Sequence, residues 1–369
     1  MELTRQWCDN VRCPAFGQIG TDNVRVFSYA DRRFYCVRCG RTWSADKGTA
    51  FEGLHSSRAV VARALAQLGE RASLRATARL TQHPVNTVLD WLECGGRQAA
   101  AVSAYLIQGL PVTYAQVDEL WTFVKKQEHL LPKDPAEYGD MWVWRAIALP
   151  GRLRVVTHLS HERSAAEARA FLAKFKARTD GRAPFLTSDQ LPAYTAALIA
   201  NYSPPEPPPV KRGPGRPRKE PKRIIDPQLL YAQVDKARAG GRVVEVRRRL
   251  VFGSEGEVAR LLHETQAGTQ INTSFVERDN LTSRQSNGRL VRKTLSHSKT
   301  KHYLQRQVDP EDAMYNFVRP HEALRVKCIR PGVRRQKWED RTPAMAADLT
   351  GHIWTLEELL AYRLPPPET

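Results

Sequence analysis

A basic stretch at residues 272–299 contains two acidic side chains among six Arg and Lys residues. If this stretch is helical, Glu277, Asn280 and Arg284 share one face. Leu281 and Leu290 then lie on an apolar side of the helix. A carboxylate is an oxygen ligand for a divalent ion, and the surrounding cations suit a polyanion. The stretch therefore predicts metal-dependent chemistry on a phosphodiester.

Two further acids are placed by predicted strands. Asp118 falls at the end of a strand predicted in VTYAQVDELWTFV, and Asp189 directly follows a strand predicted in APFLTS. Side chains that leave the ends of neighbouring strands can converge although they are distant in sequence. Taken alone, each Asp is equally well explained as a turn or helix cap. Glu119 is a second choice of ligand, but strand alternation points it to the face opposite Asp118.

Asp118, Asp189 and Glu277 together form a carboxylate set suited to two divalent ions about 3.5–4 Å apart. Such carboxylates repel one another until a metal binds. Carboxylate oxygens are preferred by hard cations. We therefore predict that these three residues are catalytic and bind Mg²⁺ or Mn²⁺.

The chain is strongly basic. It has 369 residues with 57 Lys+Arg against 39 Asp+Glu, a net charge of +18 and a pI near 9.9. Nucleic acid is the partner that such a balance favours. The length predicts two or three domains. No apolar run approaches the ~20 residues that span a bilayer, and no signal-peptide core is present, so we expect an intracellular protein without a membrane partner.

Four of the six cysteines form two close pairs within residues 1–53: Cys8 with Cys13, and Cys36 with Cys39. In a reducing compartment such pairs indicate a metal rather than disulfides. Four thiolates suit tetrahedral Zn²⁺, and the short strands around them predict a zinc ribbon in which zinc is structural. The alternative is four ordinary buried cysteines.

Residues 54–98 carry a helical pattern that breaks at a His-Pro pair. A short helix, a tight turn and a second helix predict a helix-turn-helix DNA-binding domain. In that motif we expect Asn86, Thr87 and Asp90 to face a DNA groove. The alternative is a helical hairpin that only packs. We expect a linker to follow near Ala99.

Residues 111–345 carry the pattern of a catalytic α/β domain with a mixed sheet. Three strands, an amphipathic helix and a fourth strand come first, followed by a fifth strand in GRVVEVRRRLVFG, a helix in EVARLLHET and the helix of Glu277. His321, in YNFVRPHEALR, either assists at a phosphate or packs. Residues 346–369 are expected to form a C-terminal tail.

A Pro-rich basic segment, residues 203–223, interrupts this domain. Its composition predicts an extended, solvated chain. Its centre, RGPGRPRK, resembles an AT-hook, whose Gly-Arg-Pro core lies in the minor groove of A·T-rich DNA. We therefore expect Arg212, Arg216 and Arg218 to bind DNA. A plain charged linker is the alternative.

Several sequence blocks resemble the bacterial transposases of the insertion sequence 1 family. They are VDELWTFV, TSDQLPAY, SFVERDNLTSRQSNGRLVRKT and YNFVRPHEALR, in that order. The third block is the most specific. With the cysteine pairs and the helix-turn-helix pattern, the resemblance covers nearly the whole chain.

The resemblance implies a DDE transposase with a ribonuclease-H-like core that cuts the ends of its element and joins the 3′-hydroxyls to target DNA. Its catalytic triad would be Asp118, Asp189 and Glu277. The basic residues expected to bind double-stranded DNA beside the triad are Arg284, which would position a DNA end, Arg292 and Lys293. Two ends held together require at least a homodimer. The expected location is the cytoplasm of a bacterium, at the nucleoid.

Two other functions remain open. One is a DNA-binding transcriptional regulator that derives from a transposase and has lost catalysis. The presence of all three acids argues against it. The other is a metal-dependent nuclease that hydrolyses DNA without joining strands, which uses the same chemistry with a different nucleophile.

Overall fold

The computed structural model describes residues 3, 5–125, 138–206, 223–328 and 337–366. The AT-hook-like segment, with Arg212, Arg216 and Arg218, lies outside these ranges. The chain forms two compact units that are each discontinuous in sequence. Unit 1 comprises Met1–Leu106, Gln305–Arg319 and His352–Thr369, and unit 2 comprises Ile107–Leu304 and Pro320–Gly351.

The described residues form strands and helices in alternating groups. The strands are β1 (Val24–Ser28), β2 (Arg33–Cys36), β3 (Thr42–Ser44), β4 (Tyr114–Val124), β5 (Gly139–Leu149), β6 (Leu153–Ser160), β7 (Phe185–Ser188), β8 (Tyr231–Ala239), β9 (Arg242–Phe252), β10 (Val326–Cys328) and β11 (Lys337–Glu339). The helices are α1 (Arg58–Gly69), α2 (Leu74–Thr81), α3 (Val85–Leu106), α4 (Ala165–Arg178), α5 (Pro192–Tyr202), α6 (Glu255–Glu264), α7 (Ser274–Ser286), α8 (Lys301–Ala313), α9 (Pro343–Ala346) and α10 (Leu356–Ala361). Within the described ranges, no helix has both the length and the apolar character that a bilayer crossing demands.

Unit 1 contains the antiparallel sheet β1-β2-β3 and the helices α1, α2 and α3. Helices α1 and α2 are preceded by the capping residues Ser57 and Ser73, whose side chains each accept a backbone N–H from the first turn. Serine at this position satisfies an N–H that has no partner inside the helix. Gln82 ends α2 in the left-handed conformation, with φ 57°. The predicted break between two helices is confirmed.

Helix α3 runs without interruption to Leu106, so the linker expected near Ala99 is wrong. Ala99 is fully buried in the middle of the helix. Gly95 allows close packing there, because a Cβ at this position would clash with the Leu65 side chain. This packing outweighs the low helix propensity of glycine.

The segment predicted as a tail, residues 346–369, is divided between the two units. Its last part packs within unit 1. The rings of Trp354 and Phe317 have centroids 5.1 Å apart, and Arg363 Nη1 donates to Gln6 Oε1 at 3.0 Å. The end of the chain therefore contributes to the core of the same unit as its beginning.

Unit 2 is built on a six-stranded mixed sheet with the order β6-β5-β4-β7-β8-β9. Strands β4, β5 and β6 are antiparallel neighbours. Strands β7 and β8 run parallel to β4, and β9 returns antiparallel to β8. The predicted α/β class with a mixed sheet is confirmed. On one side of the sheet, Tyr114 and Phe185 pack with Leu261 of α6 and Val276 of α7.

Strand β8 has no counterpart in the predicted elements. Only its first residues, from Tyr231 to Val234, are buried, and charged residues follow them. The strand therefore lacks the regular alternation by which a half-buried strand is recognised. It matters for function because Lys236 and Arg238 of this strand line the candidate site.

Candidate active site and cysteine cluster

Asp118 lies inside β4 and not at its end, so the predicted placement is wrong; the strand continues to Val124. Strand β7 pairs with β4 only from Tyr114 to Gln116. The edge of β4 is therefore open at Asp118. Asp189 follows immediately after β7 and reaches this opening. The two carboxylates meet where the neighbouring parallel strand stops.

Glu119 joins these two acids. One carboxylate oxygen from each of Asp118, Glu119 and Asp189 lies within 4.8 Å of the others. Glu119 leaves β4 on the face opposite Asp118, as strand alternation predicts: its partner across β5 is Trp144, which packs against Phe171 of α4, whereas the partner of Asp118 is Arg145, which pairs with Asp279 of α7. The carboxylate oxygens meet nevertheless, so the opposite face does not remove Glu119 from the acidic cluster. Arg163 Nη2 lies 2.7 Å from Glu119 Oε2 and 3.5 Å from Asp189 Oδ2. One guanidinium therefore counters part of the charge of the cluster.

Burial and neighbouring negative charge raise the pKa of two acids of the cluster, Asp118 and Glu119. Burial, followed by the charge of Asp189, raises the pKa of Asp118 to about 7 and that of Glu119 to about 8. Close carboxylates with little access to solvent shift in this direction. A divalent cation would relieve the repulsion, and carboxylate oxygens suit Mg²⁺ or Mn²⁺. The donor set therefore fits the metal that the sequence predicts.

Glu277 faces the same cavity but lies outside this group of three. Helix α7 begins at Ser274, as predicted. Thr273 Oγ1 donates to Glu277 Oε1 at 2.5 Å, and Lys236 Nζ forms an ion pair with the same oxygen. The charge of Glu277 still contributes to the raised pKa of Asp118. Lys236 is thus the counter-ion of Glu277 in this structure.

A cavity of about 520 Å³ joins the acids to a cationic wall. The cations that line it are Lys236, Arg238, Arg284 and Arg292. Lys293 is exposed next to Arg292 in the chain. Clustered cations around a cleft attract a polyanion and hold its phosphates. The cavity therefore suits a nucleic-acid backbone that approaches the carboxylates.

The face of α7 that carries Glu277, Asn280 and Arg284 lines this cavity, as its spacing predicts. Asn280 Nδ2 donates to Asp118 Oδ2 at 2.8 Å. Arg284 donates to the backbone carbonyls of Leu290 at 3.0 Å and Trp121 at 3.1 Å. Burial lowers the pKa of Arg284 to about 10. Its guanidinium is held in place by the backbone beside the acids.

The packed side of α7 differs from the predicted apolar side. Leu281 is 60% exposed, so that part of the prediction is wrong, whereas Leu290 is fully buried beyond the end of α7. The inward side carries, besides Val276, a charged residue, Asp279, the second acid of the basic stretch. Arg145 Nη1 lies 3.2 Å from Asp279 Oδ2, and Arg154 Nη2 lies 2.8 Å from Oδ1. All three residues of this ion-pair cluster are at most 3% exposed, so Asp279 is a buried counter-ion that attaches α7 to the sheet.

The four N-terminal cysteines converge as predicted. The Sγ atoms of Cys8 and Cys39 are 3.7 Å apart, and those of Cys13 and Cys36 are 3.8 Å apart. Four sulfurs placed tetrahedrally at the usual Zn–S distance of about 2.3 Å are separated by about 3.8 Å. A backbone N–H of Arg41 lowers the pKa of Cys39 to about 7, which favours the thiolate. The geometry is compatible with a zinc site and is too open for disulfides.

The remaining predicted residues are found at the surface or in local contacts. Asn86 is exposed and Thr87 half-buried at the start of α3. His321 Nδ1 accepts the backbone N–H of Ala323 at 3.2 Å, and burial lowers the pKa of its imidazole. His321 therefore caps a short turn in unit 2.

No family model matches the chain, and no curated protein matches its sequence. Solved structures do match it. The piggyBac transposase synaptic complex with hairpin DNA is 9% identical, with a TM-score of 0.36 over 73% of this chain and 67% of that chain. The Mos1 mariner paired end complex with Mn is 14% identical, with a TM-score of 0.18 over 40% of this chain and 58% of that chain. The Mos1 strand transfer complex is 13% identical, with a TM-score of 0.18 over 72% of this chain and 78% of that chain. Similarities of this size do not show a family for this chain.

Five basic residues in or next to the site were not predicted: Lys236 and Arg238 line the cavity, Arg163 pairs with the acidic cluster, and Arg145 and Arg154 pair with Asp279. Lys236 was missed together with its strand. Arg145 and Arg154 had a usable signal, because each is a lone charge inside an apolar strand, in MWVWRAIAL and LRVV. Charged residues inside such strands are rarely buried unless they are paired. The signal predicts a buried partner but does not identify it.

Proposed function

We propose that this protein is a DNA transposase that binds the ends of its insertion sequence and catalyses metal-dependent cleavage and strand transfer. One observation carries the proposal: Asp118, Asp189 and Glu277 face one cavity whose wall is cationic. Such a site combines ligands for divalent ions with a binding surface for phosphates.

In this proposal Asp118, Asp189 and Glu277 hold the ions, and Glu119 is a further ligand beside them. When bound, a pair of divalent ions supplies activation of the attacking oxygen and stabilisation of the leaving oxygen. Asn280 orients Asp118 through its hydrogen bond of 2.8 Å. Arg284, Arg292 and Lys293 hold the DNA end near the acids. Lys236, which pairs with Glu277, would contact a phosphate if the carboxylate of Glu277 held a metal ion.

The fold of unit 2 supports the ribonuclease-H-like part of the proposal. Three antiparallel strands are followed by two strands parallel to the first, with Asp118 on the first strand and Asp189 after the fourth. The third acid comes from the later helix α7. The assignment to the insertion sequence 1 family rests on the sequence blocks around these three acids.

The N-terminal modules are proposed to recognise the element ends. The cysteine cluster is assigned as a zinc ribbon, and α2 and α3 as a helix-turn-helix that presents Asn86 and Thr87 to DNA. The segment with Arg212, Arg216 and Arg218 is assigned as an AT-hook. At least two chains act together, because two DNA ends must be held for joining.

The decisive experiment incubates the purified full-length protein with Mg²⁺, labelled duplexes that carry the element ends, and a supercoiled plasmid. A transposase produces both cleaved ends and plasmid-joined label. Cleavage without joining identifies a nuclease, and specific binding without cleavage identifies a regulator. A reaction with Ca²⁺ in place of Mg²⁺ is the matched control for binding in the absence of chemistry.

The zinc assignment has a separate test. Replacing Cys36 and Cys39 with Ser is expected to reduce bound zinc from about one ion per chain to none and to weaken binding to the element ends, because the small sheet depends on the metal. Zinc is measured by elemental analysis of the purified protein. The control replaces Cys94 and Cys328, which lie outside the cluster, and should keep the zinc. A wild-type protein without zinc contradicts the assignment.

A further inference from the structure

The hairpin formed by β8 and β9 is an exposed basic ribbon at the edge of the sheet. The strands pair from Tyr231↔Phe252 to Ala239↔Arg242. Gly240 and Gly241 join them with φ of 57° and 78°, as a two-residue turn between twisted strands requires. The first residues of β8 are buried in the sheet, but its last residues and most of β9 are exposed. At about 3.3 Å per residue, β9 is roughly 36 Å long.

Positive charge dominates this ribbon. Its basic residues are Lys236, Arg238, Arg242, Arg247, Arg248 and Arg249, and its acidic residues are Asp235 and Glu245. The ion pairs found are Arg247 with Glu245 and Lys236 with Glu277. Among the described residues, Arg238, Arg242 and Arg249 have no acidic partner within ion-pair distance. These three guanidinium groups are exposed and available to an external anion.

Charges on an edge strand also keep the sheets of different molecules from pairing with one another. This role alone would explain a few of the charged residues on the ribbon. Two features go beyond it. Lys236 and Arg238 line the cavity that contains Asp118 and Glu277, so the basic surface is continuous with the site. In addition, a two-stranded ribbon has a width that the major groove of B-DNA admits. A polyanionic duplex is the partner with complementary charge along such a length.

We propose that the β8–β9 hairpin binds the phosphate backbone of double-stranded DNA on the flank of the bond that is cut. This inference rests on the proposed function, since the hairpin adjoins the proposed catalytic cavity. It adds a binding surface that the basic residues of α7 and the N-terminal modules do not include. The contact is with phosphates, so it strengthens the binding of DNA equally whatever its sequence.

The test compares two variants of the full-length protein in which three arginines are replaced by Gln. The hairpin variant changes Arg238, Arg242 and Arg249. The control variant changes Arg169, Arg182 and Arg260, which are exposed on unit 2 outside the cavity and lose the same charge. Binding to a labelled duplex that carries one element end is measured by fluorescence anisotropy at several NaCl concentrations without Mg²⁺.

The hairpin variant is expected to bind at least about 10-fold more weakly near 150 mM salt, with a slope of log K against log[salt] that is smaller by about 2–3, because each lost phosphate contact contributes about 0.9. The control should change the slope by less than about 1. Equal losses in both variants, or no loss in the hairpin variant, overturn the inference. Circular dichroism and thermal melting establish that both variants are folded.

The Mg²⁺ reaction separates this inference from the proposed function. If wild type joins DNA ends but the hairpin variant binds like the control, the hairpin assignment fails and the transposase proposal stands. If wild type neither cuts nor joins DNA but the hairpin variant shows the reduced slope, the transposase proposal fails and the hairpin assignment stands. Hydroxyl-radical footprints give an independent readout, since the hairpin variant should lose protection on one flank of the cut site only.

Discussion

Replacing Asp118 with Asn, Asp189 with Asn or Glu277 with Gln is expected to lower Mg²⁺-dependent cleavage and joining at least about 1000-fold, or roughly 4 kcal/mol in activation free energy. Each change removes a charged oxygen ligand from a site that has few others. Binding to the element ends should stay within about 3-fold of wild type, because it depends on the N-terminal modules and on basic residues that these changes leave intact. Rates of cleavage and joining, measured with labelled ends, check this expectation.

Two further variants sharpen this result. Asp235 lines the same cavity but does not belong to the acidic cluster, so Asp235→Asn should retain activity within about 5-fold and serves as the matched control. Glu119→Gln tests the acid that the structure adds to the site. If Glu119→Gln is inactive while Glu277→Gln is fully active, Glu119 replaces Glu277 as the third essential acid. Full activity of Asp118→Asn contradicts the whole assignment.

Although Asp118→Asn is expected to lower activity, the same substitution is expected to raise the stability of the folded protein. The pKa of this carboxyl is about 7 in the folded protein and is raised from 3.8 by burial and by Asp189. Its contribution to stability is therefore complete below pH about 4 and is lost as the pH rises through 7. In Mg²⁺-free buffer at pH 8, Asp118→Asn should raise the free energy of unfolding by about 1–3 kcal/mol. Thermal melting from pH 4 to 8 should show a flatter decline for the variant.

Replacing Asp279 with Asn is expected to reduce the free energy of unfolding by about 3–5 kcal/mol. The change leaves the buried guanidinium groups of Arg145 and Arg154 without their shared carboxylate, and removing one partner of a buried ion pair has a cost of this size. Chemical denaturation monitored by intrinsic fluorescence measures the effect. A loss below about 1 kcal/mol would show that the cluster contributes little to stability.

The control is Glu264→Gln on α6. Glu264 pairs with Arg260 at 2.7 Å, but both side chains are at least half exposed. Exposed pairs contribute about 0–1 kcal/mol, so this variant should resemble wild type. Asp279→Asn should also reduce turnover below its melting temperature, because α7 carries Glu277 and is attached to the sheet by Asp279. A fully active but unstable variant would limit Asp279 to a structural role.

Local sequence patterns were sufficient to predict several features of this protein. Cysteine spacing predicted the cluster, and the structure places the four sulfurs at distances that suit tetrahedral zinc. The prediction was possible because the two cysteines of each pair are close in sequence and are therefore close in space. Helical periodicity predicted α7 from Ser274 and the shared face of Glu277, Asn280 and Arg284, since three residues on one helix are related by its geometry alone. Alternation and length predicted the α/β class.

Tertiary structure decided which side chains from different helices and strands come into contact. Local pattern could not show that the pairing of β7 with β4 stops at Gln116, and the open edge beyond that residue is where the carboxylates of Asp118, Glu119 and Asp189 meet. The pairing of Asp279 with Arg145 and Arg154 joins a helix to two strands far away in sequence, so no local period encodes it. Strand β8 is only half apolar and was missed, together with Lys236 at the site. The sequence by itself determined the types of ligand and their local spacing, whereas only the pairing of the strands and the docking of α7 decided which carboxylates share a cavity, because those contacts depend on packing between distant segments.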